Sequence, residues 1–127
     1  MKITLISPLR VPKSKTKYFS LNLNVYRNSH YQVLNKSKVE YKKLMFKQVS
    51  ALPVMKKISI TYTLYPGNKR LCDLDNILSI IAKYFQDTLV ELGKLPEDNY
   101  LFIPETLFRF GVIDKNNPHC KIKIEEL

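Results

Sequence analysis

An α+β domain, with a mixed sheet of about four to five strands covered by two main helices, is the fold this sequence predicts. Three observations lead there. Two long segments carry apolar residues at helical spacing, and several short ones alternate at strand spacing. The order strand, loop, helix, strand, helix, strand, strand places the helices over a mixed sheet. At 127 residues the chain fits one domain, residues 1–127.

The elements follow in order. Lys2-Ile3-Thr4-Leu5-Ile6-Ser7 alternates as a first strand and is ended by Pro8. From Pro8 to about Lys36 the pattern is irregular, with Tyr18-Phe19-Ser20-Leu21 as a short strand; such long irregular segments are functional or mobile in compact domains. Asn35 or Ser37 caps a predicted helix running to about Ser50, its buried stripe being Tyr41, Leu44, Met45 and Val49. Lys57 to Tyr65 is the clearest strand, β-branched, aromatic and alternating. Pro66-Gly67-Asn68 turns the chain into a second helix from Leu74 to Leu92, stopped by Gly93 and Pro96. Its wide apolar stripe, including Leu78, Ile81, Phe85 and Leu89, predicts firm packing on the sheet. Residues 106–113 and 119–125 read as two final strands, with His119-Cys120 opening the last.

Composition narrows the function. Residues 1–70 carry 15 Lys/Arg against a single acid, Glu40, whereas residues 71–127 carry 6 Lys/Arg against 10 Asp/Glu, for a total of +10. A field so strongly positive over one half favours polyanions, nucleic acid above all. No apolar run approaches the roughly 20 residues of a membrane span, so no membrane partner is expected. The start reads as a strand and not as a signal peptide. Cys72 and Cys120 do not suggest a disulfide framework, and with His30 and His119 they form no zinc spacing. The reducing cytoplasm is the expected compartment.

Against this basic background stands Asp73-Leu74-Asp75-Asn76. Two carboxylates one residue apart form a compact oxygen cluster of the kind that holds a hard cation such as Mg²⁺. On spacing alone, helix capping is the better explanation of Asp73 and Asp75. Lys13, Lys15, Lys17 and Arg27 interleave with Tyr18, Phe19, Tyr26 and Tyr31, so they can grip phosphates and stack on bases, or the aromatics can tuck onto the core. Lys38, Lys42, Lys43 and Lys47 form either a solvated face or a phosphate-contacting one.

The run Lys69-Arg70-Leu71-Cys72-Asp73-Leu74-Asp75-Asn76, an apolar helix, then the acidic turn Pro96-Glu97-Asp98-Asn99 resembles the RusA family of Holliday-junction resolvases. The likeness is strongest over residues 69–98, where Lys83, Asp87-Thr88-Leu89 and Gly93 also fall in register. It implies a Mg²⁺-dependent, phage- or prophage-type homodimeric endonuclease that resolves four-way DNA junctions in recombination and repair, with Mn²⁺ able to substitute. It implies Asp73, Asp75 and Asp98 as metal ligands, with Lys83 and Asn76 as further catalytic residues. Lys13, Lys15, Lys17, Arg27, Lys69 and Arg70 then contact DNA. The chain departs from the family pattern by about one extra helical turn between Asn76 and Lys83, or about 6 Å of rise. Ser79 then stands where the family's functional Lys would be, and Cys72 replaces a more usual basic residue. Two alternatives stay open: a metal nuclease on other branched or single-stranded DNA, and a non-catalytic nucleic-acid-binding protein.

Overall fold

Alternation of β-branched and polar residues builds four strands into one sheet, and helical spacing builds three helices over it. The computed structural model describes all 127 residues. Its elements are β1 (Lys2–Ser7), β2 (Arg10–Pro12), β3 (Tyr18–Ser20), α1 (Leu23–Asn28), α2 (Tyr31–Ser50), β4 (Ile58–Tyr65), α3 (Leu74–Glu91), β5 (Glu105–Phe110) and β6 (His119–Glu126). The main sheet has the order β1-β6-β4-β5, and β2 and β3 form a separate hairpin. β6 is antiparallel to both β1 and β4, whereas β4 and β5 run parallel. Parallel neighbours need a crossover connection, and α3 supplies it. The molecule is a single α+β domain with a mixed sheet, as the patterning predicts.

Strand alternation decides where the core lies. Ile58, Ile60, Tyr62 and Leu64 of β4 are buried, as are Cys120, Ile122 and Ile124 of β6. The helices pack on this face, α3 contributing Leu78, Ile81, Phe85 and Leu89. The opposite face bears Ser59, Thr61, Thr63, Lys121 and Lys123. The core phenols are paired: the Tyr41 and Ser7 hydroxyls meet at 2.7 Å, and so do those of Tyr84 and Ser37. Gln86 donates to the Tyr62 hydroxyl at 3.1 Å. Burial pushes all three phenols above their ordinary range.

The structure corrects the reading of Pro8 to Lys36. This stretch is ordered as the β2–β3 hairpin, α1 and the first turn of α2. The expected short strand at Tyr18–Leu21 is present as β3, and its partner β2 is too short to show periodicity; each hairpin strand has three residues and one buried anchor, Val11 or Phe19. α2 begins at Tyr31, and its cap is His30, whose ring accepts from the Gln32 N–H at 3.2 Å, not Asn35 or Ser37. Ser37 lies inside the helix, buried with Tyr41, Met45 and Val49 at four-residue spacing. Leu44, expected in that stripe, is 48% exposed because it sits one residue, about 100° of rotation, off the row. β5 stops at Phe110 rather than at residue 113. Next to it, a Cβ on Gly111 would meet the Tyr65 ring at 2.6 Å, so the chain there needs glycine.

Candidate metal and nucleic-acid site

Where β4 ends, Pro66-Gly67-Asn68 turns the chain and the Asn68 side chain accepts from the Arg70 N–H at 2.9 Å. This fixes the direction of an exposed lead-in, Lys69 to Cys72, that delivers Asp73 to the start of α3. Asp73 occupies the N-cap in extended conformation, yet its side chain makes no capping hydrogen bond. Asp75 lies in the first helical turn. Both residues are exposed, and none of the chain's four ion pairs involves them. Capping by hydrogen bond therefore does not occupy the Asp73 carboxylate. The oxygens of both residues face solvent, with the positive end of the helix macrodipole behind them.

Beside this pair opens a polar cleft of about 440 Å³, lined in part by Asn22, Asn24, Asn68, Arg70, Cys72 and Asn76. Asn22 is held there because its side chain caps α1, accepting from the Val25 N–H at 2.8 Å. Asn76 lines the cleft and is not the cap of α3, which is Asp73. A second groove, of about 300 Å³, lies on the other side of the lead-in between Lys69, Arg70, Leu71 and Phe110. One stretch of backbone thus presents two carboxylates, amide donors and two cations together.

Further along α3, Asp75, Ser79, Lys83 and Asp87 recur every four residues, and this spacing puts them in one row on the helix. Ser79 stands one turn from Asp75, and its hydroxyl is buried without a hydrogen-bond partner. Lys83 stands two turns away, about 12 Å of rise, and the whole stretch from Asp75 to Lys83 is helical. Its charge acts instead on Asp87. Burial raises the Asp87 carboxyl above its ordinary value, Lys83 opposes that, and Asp98 adds to it. The place of Asp87 four residues after Lys83 is the sequence signal for this contact.

Asp98 lies with this second group. The Lys94 N–H bonds the Leu89 carbonyl, the Lys94 carbonyl accepts from Met55, and the Phe102 carbonyl accepts from Ile58. Those bonds pin residues 94–102 at the start of β4, whereas Asp73 follows its end. The strand's eight residues span about 26 Å. Within one copy, Asp73, Asp75, Asn76, Lys69 and Arg70 come together, whereas Lys83 in the middle of α3, Asp87 a turn further on and Asp98 beyond its end form a second group. No group of three or more His, Cys, Asp or Glu side chains in one copy is close enough to hold a metal ion.

The other basic residues lie on the hairpin and the helices of the first half, the hairpin tip resting against the start of α2, where the Lys36 ammonium donates to the Lys13 carbonyl at 3.0 Å. Lys13, Lys15 and Lys17 are exposed at the tip of the β2–β3 hairpin, and Arg27 is exposed in the last turn of α1. The aromatics divide. Phe19 is buried and Tyr26 packs edge-on against Tyr84, while Tyr18 lies exposed beneath the Arg10 guanidinium at 3.9 Å. On α2, Lys42 pairs with Glu91 at 3.0 Å and Lys43 with Glu40 at 3.4 Å, so part of that lysine face is internally balanced. No helix is long and apolar enough to cross a membrane. No protein-family model matches the chain, and no curated protein matches it either.

Proposed function

We propose that this chain is a Mg²⁺-dependent endonuclease that cuts four-way DNA junctions as a homodimer. The observation that carries the reading is the Asp73–Asp75 pair, free of capping bonds and ion pairs, whose chain neighbours Cys72 and Asn76 line an asparagine-rich cleft and which directly follows the strongly basic first half of the chain. The donor set fits a hard cation, being exposed carboxylate oxygens with room for water and phosphate. Asp73 and Asp75 would hold it, and Asp98 of a second copy would complete the set, since Asp98 of the same copy stands at the far end of α3. Bound there, the ion would neutralise phosphate charge and lower the pKa of a coordinated water. Asn22, Asn24 and Asn76 donate hydrogen bonds from the cleft wall. Arg70 and Lys69 draw the backbone towards the carboxylates, which would otherwise repel it. Lys83 of the copy that supplies Asp98 adds positive charge near the scissile phosphate, where charge develops in the transition state. The hairpin lysines and Arg27 hold the junction arms through phosphate contacts.

The test pairs a synthetic four-way junction with a linear duplex, each with and without Mg²⁺. Symmetric cutting of the junction alone, dependent on metal, is expected. Asp75→Asn and Asp98→Asn each bind the junction but lose at least about a hundredfold in cutting, roughly 2.7 kcal/mol of transition-state stabilisation. Mixing the two inactive variants restores nicking, because one site of the mixed dimer keeps both wild-type residues. No recovery on mixing would place the whole site in one copy. Equal cutting of linear duplex would remove junction selectivity, and binding without cutting in any metal would leave a non-catalytic DNA-binding protein.

A further inference from the structure

The two edges of the main sheet are treated differently. At the β1 edge, the Gln48 side chain from α2 accepts from the Ile6 N–H at 2.8 Å and donates to the Ile6 carbonyl at 2.8 Å, closing the backbone there. The β5 edge has no such cover. All its residues but Phe108 are exposed, and it holds no proline and no lysine, the usual guards of a free edge. Gly111 N–H bonds the Leu64 carbonyl. By the alternation of a strand, Glu105, Leu107 and Arg109 therefore turn their backbone groups to β4, leaving those of Thr106, Phe108 and Phe110 free.

Around this edge the surface is apolar. Of the 16 exposed large hydrophobic residues, six fall between positions 100 and 113: Tyr100, Leu101, Leu107, Phe110, Val112 and Ile113. Such clustering marks an interaction surface. The two charges of the strand identify the partner. If β5 pairs antiparallel with itself about a two-fold axis at Leu107, Glu105 faces the Arg109 of the partner subunit and Arg109 faces the partner's Glu105. Leu107 then meets its own counterpart between them. The same register sets Thr106 opposite the partner's Phe108, so the free backbone groups meet each other as an antiparallel ladder requires.

We propose that β5 is the dimer interface of this protein, joining two four-stranded sheets into one of eight strands through reciprocal Glu105–Arg109 pairs. The pairing is isologous and closes on itself, leaving Gln48-capped edges at both outer ends and no route to a fibre. It also runs the two α3 helices antiparallel on one face, with the Asp98 end of each towards the Asp73 end of the other. The interface shares with the nuclease reading only the need for a second copy. Its test uses neither DNA nor metal: a wild type that never dimerises removes both ideas, whereas single reversals without effect remove this interface alone and leave the nuclease reading standing.

Sedimentation equilibrium of the full chain gives the answer. The wild type is expected to be a dimer at micromolar concentration. Glu105→Arg or Arg109→Glu alone sets like charges opposite each other at two places and weakens association at least about tenfold. The double swap Glu105→Arg with Arg109→Glu restores the dimer. Circular dichroism and melting of each variant establish that the monomer fold is kept. A wild type that stays monomeric at about 100 µM would overturn the proposal. So would single reversals without effect, or a double swap that fails to restore association.

Discussion

Asp87 is a carboxylate under opposed influences. It is half-buried on α3, and burial raises its proton affinity more than Lys83 lowers it, with Asp98 adding repulsion. A carboxyl whose folded pKa exceeds the unfolded value favours the native state below the unfolded pKa, and that contribution is lost as pH rises through the folded one. At neutral pH the ionised group is therefore a net cost. Asp87→Asn should raise the melting temperature at pH 7, and the gain should vanish as pH falls below the ordinary carboxylate range near about 4. Thermal melts of both proteins across pH 3–8, without metal, check this. Cys120 shows the same burial effect without a charge nearby, its thiol pushed up to about 12. Cys72, exposed in the lead-in, is the accessible thiol.

At the scale of elements, α3 is the organising piece. Its apolar row, Leu78, Ile81, Phe85 and Leu89, fixes it to β4, so its two ends are held a fixed distance apart. Gly93 ends it at φ +73, with nothing within 4 Å of where a Cβ would stand. Replacement there meets backbone strain and no clash. Gly93→Ala should cost about 1 kcal/mol, the price of a left-handed alanine, measured by urea unfolding. Leu89→Ala, a core truncation in the same helix, should cost more, about 2–5 kcal/mol. An equal cost for both would mean that α3 is not packed as described. The turn chemistry of Gly93 was readable beforehand, but the start of α2 was not. His30 caps it through a ring nitrogen, and nothing in local spacing favours His30 over Asn35 or Ser37.

For the whole molecule, charge asymmetry becomes shape. The first half of the chain, nearly free of acids, supplies the hairpin, α1 and α2, and the lysines of the hairpin tip project from it. Each phosphate neutralised on a duplex contributes about −0.9 to the slope of log affinity against log salt. Replacing Lys13, Lys15 and Lys17 together by Ala should weaken junction binding and flatten that slope by about 2 to 3, while thermal stability changes little. Fluorescence anisotropy over a salt series measures it. An unchanged slope would move the DNA path away from the hairpin.

Much of the fold was legible in the sequence because its longest elements bury one face each, and burial writes a period of 2 or 3.6 into the chain. β4, α3 and β6 show this within a residue or so of their observed limits. Of the hairpin only β3 shows as an alternating piece; β2 and α1 do not, since three to six residues carry little period, and their place depends on Val11, Phe19 and Tyr26 finding a core made by other elements. For the site, local order was enough to put Asp73, Asp75 and Asn76 at a helix start beside Lys69 and Arg70. It could not tell that the Asp73 carboxylate leaves its capping bonds unmade, because that depends on side-chain orientation. Nor could it separate Asp98 from the pair. Sequence distance does not reveal that α3 runs straight back along β4 and carries the acidic turn to the opposite end of the sheet. Tertiary structure alone decided that, because the length of β4 and the straight packing of α3 on it set the separation.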